Sequence, residues 1–257
     1  MPPRPPLITV SIVSHGDSLP LQDLLESLRA FEDPLQLELI VTDNLGHDLP
    51  DLASGAWNSV RLLRNDRPEG YARNHNAAFR HAQGSYFCIV NPDVRFLEST
   101  YAKLMADLDS GKADITAPLV VDPRGAIQDS FRSLPSPMEL LWHRVEGTKI
   151  HADLSMSESV HPDWIAGIFL LMRTETFSRL GGFDQRYHLY FEDVDLCTRA
   201  RLMGLSVVVN PRVRLQHDAR RASRRPGRHL LWHLRSAARF FSSAVYRRGR
   251  VLAGRHG

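Results

Sequence analysis

Residues 7–13, Leu-Ile-Thr-Val-Ser-Ile-Val, alternate in character and are rich in β-branched side chains, which predicts a strand ending at Ser14-His15-Gly16. Residues 19–31 set Leu21, Leu24, Leu25, Leu28 and Phe31 at helical spacing. A second strand over 37–42 stops at Asp43-Asn44-Leu45-Gly46, and a short third follows over 60–63. The turn Pro68-Glu69-Gly70-Tyr71 leads into a helix over 74–83 closed by Gly84. Residues 86–90, Tyr-Phe-Cys-Ile-Val, are apolar without alternation, so this strand is expected at the centre of a sheet, ending at Asn91-Pro92-Asp93. Strand, helix, strand, strand, helix, strand in under a hundred residues predicts a parallel α/β sheet. Ligands in such sheets sit beyond the carboxyl ends of the strands, where Asp43, Asn44, Asn91 and Asp93 fall.

The second half is less regular. A helix over 101–108 and a strand over 115–121 precede the turn Asp122-Pro123-Arg124-Gly125, and residues 129–160 read as a loop or loop–helix insert. The apolar run 165–172 has the length of a buried strand, 174–180 of one or two helical turns ended by Gly181-Gly182. A helix over 195–203 closed by Gly204, a strand over 206–209 and an extended run over 211–216 arrive at His217-Asp218. Just before that helix, Glu192, Asp193 and Asp195 lie within four positions, flanked by Phe191, Val194 and Leu196. Helical geometry puts Asp195 on the side of Phe191 and Val194, and a carboxylate among apolar groups needs a cation, a donor or a substrate. The bland alternative is a solvated acidic first turn favoured by the helix dipole.

Charge changes the picture at one end only. The net charge of +3 conceals eleven arginines and no acid over 219–257, so the remainder is net acidic. Over 229–245, Leu230, Leu231, Leu234, Ala237, Ala238, Phe241 and Val245 recur at helical spacing. Such a helix either packs on the domain before it or lies on an anionic membrane surface, its arginines at the headgroups. The chain divides into residues 1–218, with a donor half over 7–121 and an acceptor half over 122–218, and a basic extension over 219–257. Cys88 and Cys197 sit in apolar surroundings and are expected as reduced thiols, and the proline-rich lead lacks the core of a secretion signal. A cytoplasmic protein is expected, peripheral at most on the inner face of the membrane. A nucleic-acid binder could use the arginines but needs a groove or stacking platform of which no motif appears.

Asp93 with Asn91 beyond an apolar strand could hold Mg²⁺ or Mn²⁺ against a diphosphate, although Asn-Pro-Asp is also good turn chemistry. His217 could supply a nitrogen ligand, and Asp43 could meet a nucleobase or form an Asx turn. Together the motifs are more specific than any one. Val-Ser-Ile-Val-Ser-His at 10–15, Leu-Ile-Val-Thr-Asp-Asn at 39–44, Glu-Gly-Tyr-Ala-Arg-Asn-His-Asn at 69–76 and Val-Asn-Pro-Asp-Val at 90–94 come first. Asp-Trp-Ile-Ala-Gly at 163–167, Gly-Gly-Phe-Asp at 181–184, Tyr-Phe-Glu-Asp-Val-Asp-Leu-Cys at 190–197 and His217 follow. In this order the chain resembles the inverting nucleotide-sugar glycosyltransferases of family 2, especially their bacterial rhamnosyltransferase-like branch, from about residue 8 to 240.

The resemblance implies a GT-A fold, Rossmann-like with a mostly parallel sheet flanked by helices, and here a C-terminal helical extension. It matches Asp193 to the catalytic base and Glu192 to the neighbour that helps place the acceptor. Trp164 and Gly167 match the floor of the sugar and acceptor site. Asp43 matches the carboxylate that reads the base, Gly70 and Asn76 the turn and helix start beneath the nucleotide, and Asn91 and Asp93 the Asp-X-Asp position. Asp93 and His217 would be the protein ligands of Mg²⁺ or Mn²⁺. The implied reaction moves a sugar, with dTDP-rhamnose the leading donor, to a glycan or lipid-linked acceptor in cell-surface polysaccharide synthesis. Gly16, Leu45-Gly46 and His75 depart from the family's pattern near the base and ribose contacts. A sugar-nucleotide module without catalysis would not need Asp93, Asp193 and His217 together. A nucleotidyltransferase should carry a basic glycine-rich loop after the first strand, and 14–19 holds no lysine or arginine.

Overall fold

Alternating and continuous apolar runs give ten strands among the described residues, 7–16, 18–46, 49–52, 56–139, 159–218 and 227–254 of the computed structural model. They are β1 (Ile8–Ser14), β2 (Leu37–Asp43), β3 (Ser59–Arg64), β4 (Tyr86–Val90), β5 (Val94–Phe96), β6 (Ile115–Val121), β7 (Phe131–Arg132), β8 (Trp164–Ile165), β9 (Phe169–Arg173) and β10 (Val207–His217). Eight form one sheet in the order β3-β2-β1-β4-β9-β6-β10-β5. β3, β2, β1 and β4 pair in parallel, as do β6 and β10, while β9 runs antiparallel between β4 and β6. β1, β2, β4 and β6 are buried at every position, which requires cover on both faces. The helices of the first three-quarters supply it: α1 (Ser18–Phe31), α2 (Tyr71–Phe79), α3 (Tyr101–Asp109), α4 (Thr174–Arg179) and α5 (Glu192–Leu202).

The register lines up the chemistry. Ser14 of β1 stands opposite Asp43 of β2, and Asp43 opposite Arg64 of β3, so three strands end on one edge. β4 ends beside them, and the Asn91 amide just past it donates to the Ile168 carbonyl at 2.9 Å. That bond brings the second half of the chain to the same edge.

Several boundaries differ from the sequence reading. The run 165–172 is broken, because Ala166 to Ile168 turn a corner between the β7–β8 pair and β9. The expected helix over 74–83 starts at Tyr71 on the Gly70 cap and ends at Phe79. That over 195–203 starts at Glu192, which brings all three acidic residues into its first turn. The segments 206–209 and 211–216 are one strand, bulged between Asn210 and Arg214, where Pro211 has no amide to give the ladder. β5, three residues long and antiparallel to β10, was too short to register as a pattern. Residues 140–158 of the expected insert, the lead at 1–6 and the arginine-rich 219–226 lie outside the described residues.

The C-terminal helix is broken too. α6 (Arg228–Ser242) ends where Ser243 turns extended and accepts from the Tyr246 amide at 3.0 Å to cap α7 (Ala244–Ala253). The buried stripe of α6 is Ser236, Ala237 and Phe240, whereas the predicted Leu231 and Leu234 remain 47% and 45% exposed. Ala237 and Phe240 complete a second core with Leu134, Tyr187, Phe191 and Val194. On α7, Gly249 lies so close to Thr198 of α5 that an added Cβ would come within 2.6 Å of its methyl group. The extension therefore packs on the second half of the chain. No helix among the described residues is long and apolar enough to cross a membrane. Phe240→Ala should lower the unfolding free energy in denaturant titrations by about 3–5 kcal/mol. A loss below about 1 kcal/mol would mean that α6 contributes nothing to the fold.

Candidate active site

Tyr190 and Phe191, at φ 70° and 67°, adopt consecutive left-handed conformations that non-glycine residues avoid. α6 grips this turn. Ser236 Oγ donates to the Leu189 carbonyl at 2.8 Å, and Tyr190 Oη lies 3.2 Å from His229 Nδ1. The His233 ring packs on both Tyr190 and Phe191, at 5.2 and 5.4 Å, and Phe191 also meets Phe240 and Phe241 at 5.5 and 5.7 Å.

From that turn the three acidic side chains diverge. Asp195 is buried and paired at 2.7 Å with Arg199, which also donates to the Leu180 and Gly182 carbonyls, so it ties the Gly-Gly loop to α5. Glu192 is buried, its Oε2 has no hydrogen-bond partner, and burial beside the Asp193 carboxylate pushes its pKa up to about 8. Asp193 alone is partly exposed. Its Oδ2 accepts from the Gly167 amide at 2.9 Å and its Oδ1 from the Val194 amide at 2.8 Å. Burial raises its pKa, and those amide bonds act against the rise. A carboxylate fixed by two backbone donors keeps further lone pairs with which to accept a proton.

Gly167 thus holds the acidic residue through its backbone. Its carbonyl accepts from Tyr71 Oη, and a Cβ there would sit 3.0 Å from that hydroxyl. Trp164, half-buried, donates its indole N–H to the Ser133 carbonyl at 3.1 Å. The Tyr71 amide donates to the His188 carbonyl at 2.8 Å, and a Cβ on Gly70 would fall 2.4 Å from that oxygen. Tyr71 therefore couples the start of α2 to the loop before α5.

Asp93 and His217 come together, Oδ1 to Nε2, at 3.3 Å. The Gln128 amide donates through Nε2 to the His217 carbonyl, which leaves its Oε1 to accept from His217 Nδ1 at 2.8 Å. That arrangement fixes the tautomer and turns a lone pair on Nε2 toward Asp93, whose Oδ1 is buried without a hydrogen-bond donor. Two ligand atoms in adjacent corners of an octahedron with arms of about 2.1 Å stand about 3 Å apart, so the pair fits a small divalent cation. No group of three or more His, Cys, Asp or Glu side chains is arranged for a metal among the described residues. Asn91, two residues before Asp93, is partly exposed.

On the donor side Asp43 is buried and its Oδ1 accepts from the Gly46 amide at 2.8 Å, an Asx turn, with Arg64 4.0 Å from Oδ2. Asn76 commits both side-chain atoms to the Phe183 backbone, at 2.7 and 2.9 Å. These bonds make Asn76 a strut between α2 and the Gly-Gly loop. His75 is buried against Tyr71 and bonded to Ser11 at 2.8 Å; burial lowers its pKa to about 3, so it stays neutral.

Sequence reasoning marked Asn44 at a strand end but missed the network around it and the other groups that support these side chains. Asn44 Oδ1 accepts from Asn65 and from the Glu69 amide at 2.7 and 2.8 Å, and Asn65 also reaches Asn74 at 2.7 Å. Gln128, Tyr71, Ser236 and His229 were likewise unmarked. Asn65 stands just past β3 and so carried the strand-end signal already used for Asp43 and Asp93.

The sequence matches the family model described as glycosyl transferase family 2 over residues 9–169, more than half of the chain. The chain belongs to glycosyl transferase family 2. It is a glycosyltransferase, similar to a rhamnosyltransferase of Escherichia coli K12, WbbL, at 29% identity over 97% of this chain and 96% of that one. It is also 30% identical to an N-acetylglucosaminyl-diphospho-decaprenol L-rhamnosyltransferase of Mycobacterium tuberculosis H37Rv, over 92% of this chain and 84% of that one. Among solved structures, GalNAc-T7 with UDP, GalNAc and Mn²⁺ superimposes with a TM-score of 0.68 at 18% identity, over 95% of this chain but 49% of that one. A mannosyltransferase of Pyrobaculum calidifontis with GDP-Man and Mn²⁺ gives 0.58 at 19% identity, over 92% of this chain and 65% of that one. These two share the GT-A fold. Membership of the family sets aside the nucleic-acid and nucleotidyltransferase readings.

Because the pKa of Glu192 rises from about 4.5 unfolded to about 8 folded, the folded protein binds the extra proton between those values. Stability from this group is therefore full below pH 4.5 and is lost as pH climbs toward 8. Glu192→Gln should flatten the fall in denaturant midpoint between pH 5 and 8; an unchanged fall would show that Glu192 ionises in the ordinary range.

Proposed function

We propose that this glycosyltransferase inverts the anomeric centre of a nucleotide-sugar while passing it to a hydroxyl of a glycan or lipid-linked glycan, with Asp193 as general base. The observation that carries this reading is the Asp193 carboxylate, held by the Gly167 and Val194 amides in the one residue of the three that is partly exposed. Asp193 takes the proton of the acceptor hydroxyl as its oxygen bonds the anomeric carbon and the bond from that carbon to the diphosphate breaks. The leaving nucleoside diphosphate keeps the electron pair. Glu192 is buried and Asp195 ion-paired, so neither serves as a nucleophile, and a single displacement inverts the centre. Glu192, next to the base, helps place the acceptor, with Trp164 beneath it.

Asp43, Gly70 and Asn91 are assigned to the nucleotide, Asp43 at the nucleobase, and the start of α2 at Gly70 gives the phosphates a helix N-terminus. Asp93 and His217 would hold Mg²⁺ or Mn²⁺, which neutralises charge growing on the leaving diphosphate. The relatives' names, two rhamnosyltransferases and one diphospho-decaprenol acceptor, support activated rhamnose, dTDP-rhamnose first, and a lipid-linked acceptor of cell-surface polysaccharide synthesis. Screening UDP-, GDP- and dTDP-sugars for nucleoside diphosphate release identifies the donor. With that donor, Asp193→Asn should cut transfer roughly 10²-fold or more while nucleoside diphosphate still binds. Chelator should abolish activity, and Asp93→Ala and His217→Ala should each weaken metal-dependent nucleoside diphosphate binding. Near-normal transfer by Asp193→Asn removes the base; full activity in chelator removes the metal.

A lipid-linked acceptor places the enzyme at the cytoplasmic face of the membrane. The outward faces of α6 and α7 suit that surface: Leu231 and Leu234 are exposed on α6, and Arg247, Arg248, Arg250 and Val251 on α7. Each arginine at an anionic surface contributes about 1 kcal/mol. Because α6 is part of the core, the test keeps the whole chain: Arg247→Glu, Arg248→Glu and Arg250→Glu together should abolish co-sedimentation with phosphatidylglycerol vesicles. Unchanged sedimentation would move the contact elsewhere.

A further inference from the structure

Between the loop at 186–188 and α6 lies an open groove of about 740 Å³ that none of the roles assigned above uses. Arg186, His188, Trp232, Arg235, Arg239 and Ser242 line it, and no carboxylate belongs to its wall. Arg186 is already held by Asp184, with Nε 2.9 Å from both oxygens. Arg235 and Arg239 are exposed and pair with no carboxylate among the described residues; α6 and α7 contain no acidic residue at all. They stand one helical turn apart, where like charges repel unless an anion lies between or over them. Trp232 packs beside His188 at 4.6 Å, with the Arg228 guanidinium 5.2 Å above its ring.

The groove adjoins both halves of the active site. His188 is the residue whose carbonyl accepts from Tyr71 and abuts Gly70, and Ser236, which also borders the groove, is bonded to Leu189. Leu189 opens the turn that delivers Asp193. The loop that walls the groove thus runs, five residues on from His188, into Asp193. On the adjoining stripe of that helix stand the half-exposed Leu231 and Leu234.

We propose that this groove binds the diphosphate of a sugar-diphospho-polyprenol acceptor, with Arg235 and Arg239 on its phosphates and the first isoprene units over Leu231 and Leu234. The proposal rests on the lipid-linked reading of the acceptor and deepens it. A diphosphate esterified at both ends carries two negative charges, which matches the two guanidinium groups left unpaired, and guanidinium binds phosphate through paired N–H donors. The acceptor sugar then lies between the arginines and the base, so the anionic group fixes which hydroxyl reaches Asp193.

The test is equilibrium binding of farnesyl diphosphate in EDTA, where the donor's metal site cannot recruit it, to wild type and to Arg235→Gln/Arg239→Gln. The double variant should bind it at least 10-fold more weakly, yet bind dTDP with Mn²⁺ and unfold thermally as wild type does. Farnesol and inorganic pyrophosphate should bind wild type weakly. Equal farnesyl diphosphate binding by both proteins overturns the groove and leaves the lipid-linked reading standing. Loss of phosphatidylglycerol vesicle adsorption without loss of farnesyl diphosphate binding reassigns the arginines to bulk lipid and also overturns it. Pyrophosphate binding as tight as the prenyl ester would give the groove to free diphosphate instead. A wild type that binds dTDP but not farnesyl diphosphate refutes the lipid-linked acceptor itself.

Discussion

Two left-handed residues in succession, Tyr190 and Phe191, aim the first turn of α5, and they persist only because α6 holds them. Such conformations cost about 1–3 kcal/mol for each non-glycine residue. Aromatic contacts contribute roughly 0.5–1.5 kcal/mol apiece beyond their burial, so the four that His233, Phe240 and Phe241 make with this turn offset the strain. The helix that composition marked as a basic extension thus supports the turn that carries Asp193. Its inward face is aromatic and its outward face cationic, so one element serves both fold and surface.

The remaining polar groups are positioned by neighbours of the same kind. Gln128 sets the tautomer of His217, Gly167 and Val194 hold Asp193, and the Asn44–Asn65–Asn74 amides knit the ends of β2, β3 and α2. Each is a buried or half-buried network whose members satisfy one another, which is what allows ionisable groups to stand at a sheet edge without collapsing into turns. Asp43 shows the tension: it does form an Asx turn, with one oxygen, while remaining at the edge where a nucleobase would lie.

The parallel half of the sheet was legible because its strands and helices are long and their periods distinct. Strands of two or three residues, β5, β7 and β8, carry too few positions for a period, and the corner at Gly167 interrupts a run that looks continuous. The candidate residues themselves were legible as motifs, since strand ends and acidic turns concentrate polar groups. What they touch was not. The bonds of Asn76 to the Phe183 backbone and the pairing of Asp195 with Arg199 join segments far apart in the chain or side chains a turn apart, and neither is written in a motif. The buried stripe of α6 was misread because leucines were taken to mark it, whereas Ser236 and Ala237 allow close approach to the strained turn and Phe240 fills the space beyond.

The contact of Gly70 with His188 has a consequence for anyone exchanging parts between relatives. The two segments lie more than a hundred positions apart, yet their backbones touch so closely that no side chain larger than hydrogen fits at residue 70. The loop before α2 and the loop before α5 therefore behave as one interlocking module. A chimera that grafts a foreign loop over 65–76 inherits the host's residues 186–191 as a template it must match, and recombination that keeps both segments from one parent will preserve a working seam that recombination between them will break.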